Sequence, residues 1–302
     1  PGSGSTTYKG TISGMGGLIK AGAGTQTLSG RLSQGTLSVS AGTLIINNSS
    51  NNYSSTSISG GTLQSGDDSA TGLGKITMTG GQLSSNGSTA RTFSNNLDIS
   101  GSVELGDTTN NGSVTIASTT TLLGNTTLTN NSSVSLTATD VSNSYSLTKS
   151  GTGTLTLSGA NTYDGGTTIT AGTIEIDNNS SLGTGALTMT GGQLSSNGST
   201  ARSLSNTLNL NGNVEIGDAS NTGAITLGAT SITGASTLTT SSNLSLGAVS
   251  GNYNLSKSGS GNLTITSISG TGATTINAGS MIFDADSDGD GTFLRTGTTT
   301  IN

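Results

Sequence analysis

The sequence predicts an all-β protein, a parallel β-helix (β-solenoid) with about 20 residues per coil, and three observations carry that prediction. Fifteen consecutive residues, TMTGGQLSSNGSTAR, occur twice without a change, at Thr77 to Arg91 and at Thr188 to Arg202, an offset of 188 − 77 = 111 residues. Apolar residues come as short alternating runs such as Leu155-Thr156-Leu157, Ile174-Glu175-Ile176 and Leu208-Asn209-Leu210, the period of a strand buried on one face. These runs return at intervals of roughly twenty residues, which is within the range of stacked solenoid repeats.

Composition narrows the alternatives. Of 302 residues, 29% are hydrophobic, 3% aromatic and 8% charged, 49 are Gly, and Pro1 is the one Pro. Such values resemble a chain with too little apolar surface to offset its ordering entropy, but the regular spacing argues for strands. No stretch has helical periodicity long enough to predict a helix. A single Pro leaves the strands free to pair on both edges. Cys is absent, so there is no disulfide framework or thiolate metal site. His is absent too, which excludes His-activated nucleophiles and His metal ligands. A net charge of −6 offers no basic patch, so nucleic acid is excluded as a partner. No apolar run is long enough to span a bilayer. The opening PGSGSTTYKG has neither a charged n-region nor an apolar core, so if the protein is secreted its signal is expected to be gone already.

The elements follow in chain order. Tyr8 to Ile12 enters the pattern. Val103-Glu104-Leu105-Gly106-Asp107 returns 111 positions later as Val214-Glu215-Ile216-Gly217-Asp218, so polar positions are copied with apolar ones. Between Leu155-Leu157 and Ile174-Ile176 stand corners such as Gly165-Gly166, and Asn178-Asn179 and Gly191-Gly192 follow. There φ > 0 costs little for Gly and is tolerated by Asn. Asn47-Asn48, Asn95-Asn96 and Asn130-Asn131 are either stacked amide ladders or solvated turns. The organisation expected is a single continuous solenoid over 1–302 with an internal duplication at about 77–183 and 188–290. Strands ~4.8 Å apart in about 15 coils predict a rod on the order of 70 Å long, with a thin core of Leu, Ile, Val and Ala.

The segment from Leu147 to Leu194 resembles the passenger-associated repeat of autotransporter proteins. It has a Lys-x-Gly-x-Gly opening at Lys149, Gly151 and Gly153, an Asn-Thr-Tyr step at Asn161 to Tyr163, and an Ala-Gly-Thr step at Ala171 to Thr173. Looser copies open at Lys20, Gly22 and Gly24, leading to Ala41-Gly42-Thr43, and at Lys257, Gly259 and Gly261, leading to Ala278-Gly279-Ser280. The resemblance implies a right-handed parallel β-helix displayed outside a bacterial cell as an adhesin or a stalk. It implies no catalytic residues.

Two groups of side chains are candidates for chemistry. Glu104 with Asp107, and their counterparts Glu215 with Asp218, are spaced like a carboxylate pair, but two identical active sites argue for a repeated surface feature. Asp284, Asp286, Asp288 and Asp290, with Gly289 and Gly291, resemble the opening of a calcium loop, in which hard oxygens converge on one cation. Arg295 stands where a bidentate Glu would close such a loop, so calcium and a merely solvated acidic loop are both open. Tyr145, Tyr163 and Tyr253 are expected to pack over coil corners.

Neither terminus shows a capping segment, and two complementary strand edges make a heterologous contact that propagates as a fibre. Tyr8, Lys9, Ile12, Thr299 and Ile301 are the expected interface residues. The function expected is that of an extracellular structural subunit assembling head-to-tail into a filament, with calcium as the candidate cofactor. The alternative is a monomeric passenger acting as an adhesin for glycans or host proteins, and a lower one is a glycan-cleaving β-helix enzyme.

Overall fold

The computed structural model describes residues 4–139, 144–284, 292–295 and 299–301. Among the described residues the regular elements are all strands, with no helix. Strand content is 52%, in about 14 coils of roughly 20 residues, as the alternation of Leu-Thr-Leu runs and Gly corners predicts. The chain divides into two compact units, Pro1–Leu155 and Thr156–Asn302, each a stack of parallel coils.

In the first unit the strands Thr25–Leu28, Thr43–Ile46, Thr62–Ser65 and Gln82–Ser85 pair in succession, all parallel. Leu44 opposes Leu63, Leu63 opposes Leu83, and Leu83 opposes Leu105. Successive coils therefore take 63 − 44 = 19, 83 − 63 = 20 and 105 − 83 = 22 residues. All four Leu are at most 1% exposed. A second inward column runs Val39, Ile58, Met78, Ile99 and Leu122. Burying each such side chain contributes about 1.5–3 kcal/mol, so stability accumulates coil by coil without large aromatics.

The Gly-Gly corners permit this tight stacking. Gly81 lies at φ +71°, and a Cβ there would stand 2.5 Å from the carbonyl oxygen of Gly61, closer than any real side chain tolerates. A left-handed residue lacking Cβ is the residue that fits.

The second unit repeats the scheme. Thr167–Ile169, Leu187–Met189, Leu208–Leu210 and Thr230–Ile232 pair in parallel succession, and Ile174, Leu194 and Ile216 form its inward column. It also holds a separate five-stranded parallel sheet of Arg202–Ser203, Ile225–Leu227, Leu244–Leu246, Asn262–Ile265 and Ser280–Phe283. Ile225, Leu244 and Leu263 stack inside it.

The Asn residues at the corners divide. Asn48, Asn95 and Asn130 donate to backbone carbonyls, whereas Asn47 accepts from the Asn86 amide, Asn96 from Ser118 Oγ, and Asn131 donates to Glu104 Oε1. Asn95 Nδ2 donates to the carbonyls of Gly72 and Gly74 at 3.1 and 2.5 Å. Asn130 Nδ2 donates to those of Ser132 and Thr154, both at 2.9 Å. Corner carbonyls point away from the strand ladder and need such donors when buried.

Candidate functional site

Of the expected interface residues, Tyr8, Ile12, Thr299 and Ile301 lie in strands, and Lys9 directly follows one. Strand Ser5–Tyr8 pairs with Thr25–Leu28, and among the described residues this is its one ladder partner. Tyr8 is 48% exposed. Tyr8 and Ile12 line a groove of about 830 Å³ together with Leu18, Leu28 and Leu44. Lys9 is exposed and lies outside the groove lining. Strand Thr299–Ile301 pairs with Thr274–Ile276, and both Thr299 and Ile301 are exposed, Ile301 at 76%. Of the acidic run, Asp284 is exposed, and its backbone N–H donates to the Ile265 carbonyl at 2.9 Å. Asp286, Asp288 and Asp290 lie outside the described residues.

The paired carboxylates are tied into their corners. Glu104 Oε1 accepts from Asn131 Nδ2 at 3.0 Å, and Asp107 Oδ1 accepts from the Thr109 N–H at 2.7 Å. In the second copy Ser241 Oγ donates to Glu215 Oε1, and the N–H groups of Ser220 and Asn221 donate to Asp218 Oδ1. The Asn221 and Ser220 N–H bonds hold the Asp218 carboxyl below the usual range, against a smaller opposing effect of burial. Each Asp closes an Asx turn in its own coil.

The tyrosines divide. Tyr163 is fully buried, and Tyr253 lies in the corner between strands Val249–Ser250 and Leu255–Ser258 with 51% of its surface exposed. Tyr53, not singled out in the sequence, is buried like Tyr163. The Tyr53 hydroxyl donates to the Ala70 carbonyl, and the Tyr163 hydroxyl lies 2.7 Å from Thr167 Oγ1. Burial raises both phenols well above the ordinary tyrosine range, against weaker lowering by Thr56 and Thr167.

Sequence reasoning also missed the role of the motif lysines. Lys149 and Lys257 occupy inward strand positions, opposite Leu128 and Leu238, and are fully buried. Lys257 Nζ donates to the carbonyls of Ser258, Gly259 and Ala278 at 2.8, 2.9 and 3.0 Å. Lys20 Nζ makes the corresponding bonds to Gly22 at 2.7 Å and Ala41 at 2.9 Å. Lys149 Nζ donates to Ser150 and Gly151, both at 2.8 Å. A buried ammonium is costly unless its three N–H donors are satisfied. In Lys257 the two carbonyls of its own turn and one from the next coil meet that need. Desolvation lowers the Lys149 ammonium to about 8 and shifts Lys257 in the same direction.

This geometry accounts for the motif. The first Gly of each motif, Gly22, Gly151 or Gly259, has a positive φ and presents its carbonyl to Nζ. The Ala-Gly step belongs to the coil above, and a Cβ on Gly279 would stand 2.8 Å from Lys257 Nζ. The legible signal was a Lys-x-Gly followed by Ala-Gly 278 − 257 = 21 residues later.

In each unit a backbone-caged lysine clips one parallel coil to the next, Lys20 in the first and Lys257 in the second, which defines a repeat scaffold. The passenger-associated-transport-repeat model matches the chain at residues 18–46, 39–64, 147–176 and 255–281. Each unit is a parallel β-solenoid, and these four segments of the chain are similar to that repeat. Lys20, Lys149 and Lys257 are each the third residue of a match, and the match at 39–64 contains no lysine. It begins at Val39, which opposes Lys20 in the ladder. No curated protein and no solved structure matches the chain. No helix among the described residues is long and apolar enough to cross a membrane.

Proposed function

We propose that the chain is a passenger-type structural solenoid displayed outside a bacterial cell, acting through strand edges and outward polar columns without a catalytic centre. The observation that carries this reading is the use of its charged groups. Lys20 and Lys257 tie coil to coil, and both carboxylate pairs are bonded within corners. The finer reading is head-to-tail assembly into a filament. Its support is the all-parallel ladder of each unit, to whose register a further strand can be added. A calcium ion held by Asp284, Asp286, Asp288 and Asp290 is proposed as a brace at that junction, on the alternation of Asp in the sequence.

A second reading, the adhesin, is favoured by the outward polar rows. Thr173 Oγ1 donates to Gln193 Oε1 at 3.0 Å, and Gln193 Nε2 donates to the Gly217 carbonyl at 3.0 Å. Thr173, Gln193, Glu215 and Thr239 line a shallow groove of about 390 Å³, whose donors and acceptors suit glycan hydroxyls.

Negative-stain electron microscopy at rising protein concentration, with calcium and then with a chelator, separates the readings. Uniform fibres support the filament, and their loss on chelation supports the calcium brace. Isolated particles under every condition, with binding to glycans or host cells, support the adhesin.

A further inference from the structure

Four Asn-Gly steps occur in the chain, at Asn86, Asn111, Asn197 and Asn211. This dipeptide favours intramolecular attack by the glycine nitrogen on the asparagine side chain, because no Cβ shields that nitrogen. The attack requires an amide N–H that solvent base can reach, so a hydrogen bond donated by it opposes the reaction. In three of the steps the glycine N–H is engaged. Gly112 donates to the Gly87 carbonyl at 3.0 Å, Gly198 to Asn221 Oδ1 at 3.0 Å, and Gly212 to Ser236 Oγ at 3.2 Å. Gly87 N–H has no acceptor among the described residues. A Cβ on Gly87 would meet nothing within 4 Å, and Ser88, Thr89 and Ala90 are exposed.

The contrast between Gly87 and Gly198 is instructive because both lie inside the identical fifteen residues. The cause lies outside that stretch. Asn221 Nδ2 donates to Glu175 Oε1 at 2.9 Å, which turns Asn221 Oδ1 onto the Gly198 N–H. The counterpart of Glu175, 111 residues earlier, is Gln64, and that of Asn221 is Asn110. Asn110 Nδ2 instead donates to its own Asp107 Oδ2 at 3.2 Å. One carboxylate two coils away therefore decides whether the glycine nitrogen is covered.

We propose that Asn86 is a site of spontaneous deamidation and that Asn197, its sequence-identical counterpart, is protected through Glu175 and Asn221. In the reaction the deprotonated Gly87 nitrogen bonds to Asn86 Cγ, the Cγ–Nδ2 bond breaks, and ammonia leaves with a proton from solvent. Water then opens the cyclic imide, giving aspartate or isoaspartate and adding one negative charge to the loop. In the starting state Asn86 Nδ2 donates to Asn47 Oδ1 at 3.0 Å, a bond that the acid product loses.

Trypsin places the four steps in four separate peptides, because cleavage follows Lys75, Arg91, Lys149, Arg202 and Lys257. The folded full chain is aged in mildly alkaline buffer, then denatured, digested and weighed for amide-to-acid conversion. Peptide 76–91 is expected to convert first. Peptide 150–202 should lag by about fivefold, the factor that one net hydrogen bond of about 1 kcal/mol represents. Glu175→Gln should raise conversion of peptide 150–202, and Gln64→Glu should slow that of peptide 76–91, with circular dichroism confirming that both variants fold. In urea the two peptides should convert at one rate. Equal rates in the folded chain, or no response to either substitution, overturn the proposal.

Discussion

The two copies of the duplicated stretch, Thr77–Arg91 in the first unit and Thr188–Arg202 in the second, share a backbone but not a set of polar partners. Gly81 and Gly192 turn at φ +71° and +69°. Gln82 and Gln193 both reach forward to a corner carbonyl, of Gly106 and Gly217. Around this common frame the charges move. Arg91 lies 3.8 Å from Asp68, whereas Arg202 lies 3.7 Å from Asp177, and these two acids are not counterparts. Asp68 and its true counterpart Asn179 do the same backbone work, each accepting at 3.1 Å from the N–H of Thr92 or Ser203. Lys75 and Asp98 form an ion pair at 2.6 Å, and at the corresponding places the second unit has Ala186 and Asn209. The lesson is that backbone hydrogen bonds define the repeat, and formal charge can be exchanged around them.

The largest expected effect tests the shared frame. Gly81→Ala and Gly192→Ala each place a Cβ about 2.5 Å from a carbonyl in a left-handed corner, and each should cost about 3 kcal/mol. Denaturant unfolding of both variants checks this, and a loss at one corner alone would break the equivalence of the copies.

A smaller effect tests the exchanged charges. Lys75→Ala leaves the carboxylate of Asp98, which is 6% exposed, without its cation. It should cost about 1–2 kcal/mol, moderated because Lys75 itself is half exposed. The double substitution Lys75→Ala with Asp98→Asn recreates the arrangement of the second copy and should return to within about 0.5 kcal/mol of the parent in a double-mutant cycle.

The smallest effect sharpens a difference in hydrogen bonding. Thr71 Oγ1 donates to Asn95 Oδ1 at 2.7 Å, but the matching residue is Leu182, and Asn206 Oδ1 is buried without a partner. Thr71→Val should bring the first copy to that same state at a cost of about 1 kcal/mol. An unchanged unfolding midpoint would mean that the bond contributes nothing.

Much of the fold was legible because its signals are local. Leu-Thr-Leu and Ile-Glu-Ile alternate with the strand period, Gly191-Gly192 marks a corner, and the 111-residue offset announces repetition. The Lys-x-Gly-x-Gly opening carried the resemblance to the repeat that the matched segments bear out, but its mechanism was hidden. A lysine beside Ser and Gly reads as a surface charge until the coil 21 residues later supplies the Ala278 carbonyl to Lys257. Tyr253 stands at a corner, where its place ahead of the Lys257 motif put it, with half of its surface exposed.

By itself, then, the sequence determined the class of fold, the coil length and the places where the chain turns, because these depend on steric preferences and apolar periods within a few neighbouring residues. The tertiary structure alone decided which polar groups meet. It put three motif lysines into carbonyl cages, moved the partner of a copied arginine from Asp68 to Asp177, and covered Gly198 while leaving Gly87 open. Those outcomes depend on what the neighbouring coils present, up to 221 − 175 = 46 residues away between Glu175 and Asn221. Hydrogen bonds form only between groups brought within about 3 Å, and stacking brings together residues that no local pattern connects.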